Sequence, residues 1–299
     1  MATPRPSFTF PRSSFLSQCR QDRWAFDNVF NPLGSLAINT FVEFGARDGR
    51  RNSNSFFFEK SLGWSGLLLE AGIDDIPALR KNRKCRFEGQ DSCVHAGVAA
   101  VDGESLLHQT FCGSANRTRK CRSDERLILN GSEARGLPGV RQVPSVSLNA
   151  TLSRLGMRGV GLLSADCEGC EWDALSGFDW ARFAPQLVIV ERSIPPRLRD
   201  ASARHETTYA RLRRLLYSYG YLELLHTPKH TLDGYFVSKA VVDSGRLPQS
   251  PCMSPDFGCE GAGAAAVSVP CAKSGVWGQC PEDELGTHEM VKGCERMYQ

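Results

Sequence analysis

The chain has 299 residues and a mass of 33.0 kDa, with 41% hydrophobic, 23% charged and 9% aromatic residues. These fractions are close to globular averages and exclude a mainly disordered, collagenous or coiled-coil chain. The formal net charge of +3 is too small to indicate nucleic acid or an anionic membrane, and we expect no nucleic acid as a partner. Apolar runs are only a few residues long, whereas a membrane helix needs about 20, so the sequence predicts no transmembrane segment.

Shifts in composition predict the domain organisation. Residues 1–37 are predicted to be an N-terminal leader, poorly ordered up to about Trp24, because Pro, Ser and Arg are frequent there. Regular patterning over residues 38–243 predicts one domain, interrupted over about 102–142 by an insertion rich in Gly, Ser, Arg and Cys. Residues 244–299 are dominated by Pro, Gly, Ala and Cys and are predicted to form a tail.

The first part of the domain alternates strand and helix patterns. Residues 40–44 form a β-rich apolar run that ends in the glycine turn 45–49. Ser53 or Asn54 can cap the helix that follows, and Asp74 or Asp75 can open the next one. Strands are predicted over 40–44, 66–69 and 93–100, and helices over 53–62 and 74–81.

The second part continues the alternation and ends in a strand pair. Strands are predicted over 143–148, 160–165 and 187–190, helices over 148–155, 172–175 and 209–219, and a closing hairpin over 221–225 and 235–237. Strands that alternate with helices indicate an α/β fold. We therefore predict a doubly wound, mainly parallel sheet with a closing antiparallel hairpin.

Acidic residues follow four of the predicted strands, at the sheet edge where such folds bind ligands. They are Glu43, Asp48, Glu70, Asp166, Glu168 and Glu191. The first turn carries Gly45 and Gly49 rather than the G-x-G-x-x-G pattern that cradles a pyrophosphate, which argues against a nicotinamide-dependent oxidoreductase. An acidic edge without a phosphate cradle predicts a cationic nucleoside ligand, and the sulfonium cofactor S-adenosylmethionine meets that description.

The spacing of these residues suggests a role for each. Glu70 stands 21 positions after Gly49, where a carboxylate can accept hydrogen bonds from both ribose hydroxyls. Gly45 and Gly49 allow close backbone approach, and Glu43 or Asp48 can attract the amino group. Asp166 would face the reactive methyl group. We therefore expect Asp48, Glu70 and Asp166 to line one cavity. In the simpler alternative, Glu70 is a solvated surface acid, and Asp166 and Glu168 cap the helix near Trp172.

The twelve cysteines leave the compartment open. Their clustering predicts local disulfides, and three sequons, at Asn116, Asn130 and Asn149, favour a secretory lumen, although chance alone gives roughly one sequon. A cytoplasmic location remains the alternative. Cys167 and Cys170 form a C-x-x-C pair, but no second pair at ligand spacing accompanies it, so we predict no metal site.

Four blocks, together with Ser53 and Asn54, carry a family resemblance: residues 41–49, 62–70, 163–171 and 188–191. In order and spacing they resemble FkbM-type methyltransferases over about residues 38–240. The resemblance implies a class I, Rossmann-like methyltransferase fold that uses S-adenosylmethionine and transfers methyl to the hydroxyl of a small molecule or glycan. Departures from the family pattern occur at Arg47, Ala71, Cys167 and Cys170.

The resemblance also implies where the candidate residues lie. It places Glu43, Gly45, Asp48 and Gly49 at the methionine end of the cofactor, Glu70 at the ribose, and Asp166 and Glu168 near the transfer site. Asp166, Glu168 and Glu191 are the candidates for the base that takes the hydroxyl proton. Some animal relatives of this fold act in protein trafficking, so a non-catalytic adaptor of the secretory pathway is the alternative function.

Overall fold

A computed structural model describes residues 10–109, 125–128, 140–167, 169–191, 208–224 and 233–247. For residues 104–109 and 125–128 it describes the backbone alone. The strands are β1 Thr40–Phe44, β2 Ser65–Glu70, β3 Arg86–Phe87, β4 Gln90–Asp91, β5 Cys93–His95, β6 Gly97–Val98, β7 Gly103–Gln109, β8 Glu125–Ile128, β9 Val140–Val146, β10 Leu162–Ala165, β11 Leu187–Glu191, β12 Tyr221–Glu223 and β13 Asp233–Ser238.

Seven strands form the main sheet, in the order β12-β13-β11-β10-β1-β2-β5. β5, β2, β1, β10 and β11 are parallel, whereas β13 pairs antiparallel with both β11 and β12. The predicted mainly parallel sheet and closing antiparallel pair are therefore confirmed. The strand order reverses between β1 and β10, and at such a switch point the connections leave a crevice outside the carboxyl ends of the strands.

The helices are α1 Gln21–Ala25, α2 Asn31–Leu33, α3 Phe56–Leu62, α4 Ile76–Asn82, α5 Leu148–Arg154, α6 Glu171–Leu175, α7 Trp180–Phe183, α8 Thr208–Ser218 and α9 Lys239–Asp243. Five of them fall within a residue or a few of the predicted helices; α7 and α9 were not predicted. α3 begins at Phe56 rather than at Ser53 or Asn54, because residues 53–55 bond to Glu43 instead of entering the helix. No helix in the described ranges has the length and apolar character needed to cross a membrane.

The predicted third strand, residues 93–100, is two strands that belong to different sheets. β5 pairs with β2 as far as His95, opposite Glu70, which is the last residue of β2. The amide of Ala96 still donates to the carbonyl of Glu70, and from Gly97 onward β6 pairs with β9 instead. The backbone of the predicted insertion contributes β7, β8 and the first three residues of β9 to this second sheet, whose order is β6-β9-β7-β8.

Two apolar cores cover the two faces of the main sheet. On one face Val42, Leu163 and Val188 pack with residues of α5 and α8, including Leu152 and Leu212. On the opposite face the alternate strand residues Phe41, Leu162 and Ile189 pack with Phe57 and Phe58 of α3. Side chains of successive strand residues point to opposite faces, so one set of strands supplies both cores.

The second face is completed by residues 10–36, here called the N-terminal segment. The prediction of a poorly ordered chain up to Trp24 is wrong for residues 10–24, since they include a 3₁₀ turn and α1 and bury Phe15 and Trp24. Phe57 of α3 contacts the rings of Phe10, Phe15 and Phe26, with the Phe15 ring stacked at 4.2 Å. The aromatic side chains thus overcome the low helix propensity of a Pro- and Ser-rich stretch, because each buries a large apolar area.

Candidate functional site

The ends of β1 and β10 meet at Gly45. Gly45 has φ +76°, and a Cβ at this position would overlap the backbone carbonyl oxygen of Asp166. The backbone amide of Asp166 donates to the carbonyl of Phe44 at 3.3 Å. Glycine is therefore required here by both conformation and space. The contact brings two of the predicted ligand-binding strand ends, those of β1 and β10, together at the switch point.

Glu70, the last residue of β2, lies at the corner where the ends of β1 and β10 meet. The backbone amide of Arg47 donates to its Oε2 at 2.5 Å, and that of Gly72 donates to its Oε1 at 2.6 Å. The amides of Gly45 and Ala46 both donate to the carbonyl of Leu69. The Glu70 carboxylate is only 5% exposed, so these charge-assisted bonds fix the glycine turn against β2. Gly45, Glu70 and Asp166 thus lie around one corner of the sheet.

Glu43 has a different environment. It is 4% exposed, and its carboxylate accepts from the backbone amide of Asn54 and from the hydroxyls of Ser53 and Ser55. The guanidinium of Arg83 lies 3.6 Å from its Oε2. The predicted contact of Glu43 with the cofactor remains a prediction, while the contacts present tie the end of β1 to the start of α3.

Arg83 is the centre of this buried cluster. Its side chain has no exposed surface, and it donates to Glu59 at 3.1 Å, to the carbonyl of Gly49 at 3.1 Å and to the hydroxyl of Ser55 at 2.9 Å. One cation therefore faces two buried carboxylates, those of Glu43 and Glu59. Such a pair of acids is tolerated only with a cation and hydrogen-bond donors between them.

Asp48 and Gly49 face α4 and the N-terminal segment. The carboxylate of Asp48 accepts from the backbone amides of Arg50 and Arg51. A Cβ on Gly49, whose φ is +72°, would come within 2.6 Å of Leu79 and Arg83, so this glycine is required by packing against α4. Asp48 lines a cavity bordered by the N-terminal segment, and neither Glu70 nor Asp166 lines that cavity. The expectation that Asp48 shares a cavity with these two acids therefore stays a prediction.

The loop after β10 is closed by a disulfide and by an acid that the sequence did not single out. Cys167 and Cys170 are disulfide-bonded, and Glu171 accepts from the amides of Cys167 and Gly169. Asp166 is exposed beside this loop. Glu171 thus bonds the loop amides, and Glu168 lies outside the described residues.

Glu191 lies farther along the same edge. It ends β11, half-buried, and pairs in the ladder with Asp233 of β13. Asp233 in turn accepts from the side-chain amide of Gln21 at 2.7 Å, which attaches the N-terminal segment to this end of the sheet. Glu191 is two strands away from β1 in the sheet order, with β10 between them.

Asn54 adds a polar group at the switch point. It is 5% exposed; its amide nitrogen donates to Ser164 of β10 at 2.9 Å, and its backbone amide donates to Glu43 of β1. Its Oδ1 is buried and receives no hydrogen bond from any described residue. A buried acceptor without a donor costs about 1–3 kcal/mol, so a ligand donor placed here would be favoured.

The sequence predicted Asn54 as a possible helix cap and as a family residue but gave it no role in ligand binding, and it gave no role to Ser164 or Arg83. Asn54 has a usable signal, since an Asn between two serines after a glycine turn offers both donor and acceptor. The sequence contains no signal that Arg83 is buried, because a single Arg after a helix is ordinarily solvated.

Two cysteine pairs confirm the prediction of local disulfides: Cys85 with Cys93, and Cys167 with Cys170.

The contacts of Asn149 weaken its sequon as evidence for a secretory lumen. The amide nitrogen of Asn149 donates to the carbonyl of Gly177 at 2.7 Å, and its Oδ1 accepts from the amide of Asp179. A glycan on that nitrogen would replace the first contact. Asn116 and Asn130 lie outside the described residues.

The parallel sheet with a glycine turn and acids at its switch point defines a doubly wound α/β domain, a class of fold in which ligands bind outside the carboxyl ends of the strands. Residues 43–223, about three-fifths of the chain, match the model of the FkbM methyltransferase domain. The chain belongs to the FkbM methyltransferase family, which confirms the resemblance seen in the sequence. A comparison with curated proteins and with solved structures finds no match.

Proposed function

We propose that this protein is an S-adenosylmethionine-dependent methyltransferase of class I fold that methylates the hydroxyl oxygen of a small molecule or glycan. The observation that carries the proposal is the convergence of Gly45, Glu70 and Asp166 at one corner of the sheet in a chain of the FkbM family. The order of the five parallel strands, third, second, first, fourth and fifth along the chain, is that of a doubly wound nucleotide-binding sheet and supports the same conclusion.

The residues at this corner fit the proposed cofactor. Gly45 keeps the turn free of a side chain, and the turn backbone is fixed to Glu70 through Arg47. A carboxylate oxygen can accept more than one hydrogen bond, which suits Glu70 to the two ribose hydroxyls. The buried Oδ1 of Asn54 needs a donor, and the cofactor carries an ammonium group.

When bound, S-adenosylmethionine supplies a methyl group already activated by the sulfonium. The protein then has to hold the acceptor hydroxyl in line with that methyl group, and positioning of this kind supplies most of the acceleration. Asp166 is exposed beside Gly45, so we assign it the roles of orienting the acceptor hydroxyl and taking its proton. Glu168 and Glu191 are the alternative bases.

Calorimetric titration with S-adenosylmethionine tests the proposal. We expect binding by the full chain, and a loss of at least about tenfold in affinity for Glu70→Gln, which keeps the side-chain size but removes the charge. Asp91→Asn is the matched control, because Asp91 is an exposed acid on the neighbouring strand β4 and its substitution should leave affinity unchanged. Absence of binding by the unmodified chain would overturn the proposal and leave the non-catalytic adaptor as the better account.

A second measurement tests the assignment of the base. Transfer of labelled methyl groups to a panel of hydroxylated saccharides should fall by about 100-fold or more in Asp166→Asn while cofactor affinity changes little. Glu191→Gln is the matched comparison. If Glu191→Gln loses transfer and Asp166→Asn retains it, the base is Glu191.

A further inference from the structure

A cavity separate from the proposed cofactor corner is lined with arginines. It has a volume of about 610 Å³ and lies between the N-terminal segment and the loop that follows the glycine turn. Arg12 and Arg20 contribute from the N-terminal segment, and Arg50 and Arg51 contribute from the loop. Asp48 is the one acidic residue among the lining residues, so the lining carries a formal charge of 4 − 1 = +3.

Three of the four arginines are not paired with an acid of the described residues. Among the residues that the structure describes, no carboxylate lies within ion-pair distance of Arg12, Arg50 or Arg51. The Asp48 carboxylate is engaged with backbone amides, those of residues 50 and 51, and stabilises the turn instead of pairing with a guanidinium. Arg51 interacts at longer range with Asp75. Guanidinium groups brought close together repel one another unless an anion lies between them.

Backbone contacts fix both walls of the cavity. The amide of Asn52 donates to the carbonyl of Leu16 at 3.1 Å, and residues 17 and 52 form a parallel bridge, so the loop is joined directly to the N-terminal segment. Arg20 and Asn52 have φ values of +62° and +61°. Left-handed backbone at a non-glycine residue is unfavourable and concentrates where a side chain has to be held in place.

The rest of the lining is suited to a sugar. Gln18, Asn52 and Asn82 contribute amide groups and Phe15 contributes an aromatic ring, while the Ser17 hydroxyl is bonded to Asp22 and the Asn82 nitrogen donates to the carbonyl of Asp48. Amides and hydroxyls match sugar hydroxyls as hydrogen-bond partners, and guanidinium groups match the oxygens of phosphate or sulfate in pairs. A volume of about 610 Å³ is within the range of small-molecule sites.

We propose that this cavity binds a tetrahedral oxyanion, a phosphate or sulfate ester, carried by a saccharide. The excess of arginines over acids in the lining suits an anionic ester, which carries one negative charge as a sulfate and close to two as a phosphomonoester at neutral pH. The inference does not depend on methyl transfer, because it rests on the arginines and on the shape of the cavity.

Binding of defined probes to the full chain tests the inference. Calorimetric titrations use glucose 6-phosphate, glucose 6-sulfate, unmodified glucose and inorganic phosphate. We expect binding of one or both esters, with affinity that falls as salt is raised, and much weaker binding of glucose. Preference for the phosphate ester or for the sulfate ester identifies the source of the oxyanion. Failure of both esters to bind, or equal binding of glucose, would overturn the inference.

Paired variants locate the site. The double variant Arg50→Gln/Arg51→Gln should weaken binding of the preferred ester by at least about tenfold, and Arg12→Gln, on the opposite wall, by a smaller factor. Arg154→Gln/Arg158→Gln removes the same charge from two exposed positions outside the cavity lining and should leave affinity unchanged. Equal losses in the two double variants would mean that the attraction comes from overall charge, and would overturn the assignment to this cavity. Thermal unfolding of each variant checks that it folds.

Discussion

The ends of β1 and β2 carry glutamates that are equally buried, at 4% exposure for Glu43 and 5% for Glu70, yet their surroundings differ. Glu43 is held by serine hydroxyls and by the fully buried Arg83, so the protein's own side chains satisfy it. Glu70 is held by the amides of two loops that border the crevice. An acid at a strand end thus has a structural role when a side-chain network surrounds it, and is a ligand candidate when it orders the loops around a crevice.

The structural role of Glu43 is tested most strongly by removing the cation beside it. Arg83→Met keeps a long apolar stem but leaves the buried carboxylates of Glu43 and Glu59 without their guanidinium. We expect the free energy of unfolding to fall by about 3–5 kcal/mol, measured by urea denaturation. A loss below about 1 kcal/mol would mean that the two acids are not stabilised in the way described.

Asp22 can be compared with Glu43 and Glu70, because it too is a buried acid held by hydrogen-bond donors. It accepts from the amides of Leu16, Ser17 and Arg23, and burial raises its pKa from 3.8 to about 6 despite these bonds. The folded protein therefore keeps the Asp22 proton up to about pH 6, whereas the unfolded chain releases it near pH 3.8. Its contribution to stability is full below pH 3.8 and is lost as the pH rises through about 6.

The expected size of this loss is about 2–3 kcal/mol. Urea denaturation of the unmodified protein and of Asp22→Asn between pH 4 and 7 measures it, since the asparagine cannot titrate. The difference in unfolding free energy between the two proteins should change with pH in that range and level off above it. A constant difference would show that Asp22 titrates at its ordinary pKa.

Glu70→Gln should show the opposite pattern to Arg83→Met. One carbonyl oxygen remains to accept a loop amide, so we expect a loss of only about 1–2 kcal/mol in unfolding free energy. Cofactor affinity should fall much further, as the calorimetric titration measures. A variant that loses stability as severely as Arg83→Met would place Glu70 in the same structural class as Glu43.

The smallest effect is expected for Arg80→Met, one turn before Arg83 along α4. Arg80 pairs with Asp91 at 2.7 Å, but their side chains are 46% and 54% exposed. Exposed ion pairs contribute about 0.2–1 kcal/mol, so urea denaturation should detect a change no larger than this. The two arginine variants remove the same charge from positions three residues apart, one in α4 and one just after it, and a similar loss in both would contradict the role given to burial.

Much of the fold follows from local patterns in the sequence. The apolar runs at 40–44 and 187–190 predicted strands that the structure contains at those positions, because a buried parallel strand needs a continuous apolar run. The split of residues 93–100 could not be predicted, since it depends on β2 ending at Glu70 and on the position of β9. Neighbours of that kind are distant in sequence and leave no periodicity.

The candidate site was predicted in its positions more fully than in its contacts. Gly45, Glu70 and Asp166 meet as their places after strands suggested, because parallel strands end at one edge. Glu43 and Gly49 also lie at or just after a strand end. Both contact Arg83 instead, and the burial of Arg83 arises only in the folded chain. Residue type and spacing indicate which edge matters, and the neighbours decide which acid remains available to a ligand.

The packing of Phe57 against Phe10, Phe15 and Phe26 means that the cooperative folding unit is larger than the region recognisable by homology, which begins at residue 43. A chain trimmed to that boundary would present a bare aromatic surface to water and associate through it. Expression boundaries for this domain should accordingly be set upstream of Phe10.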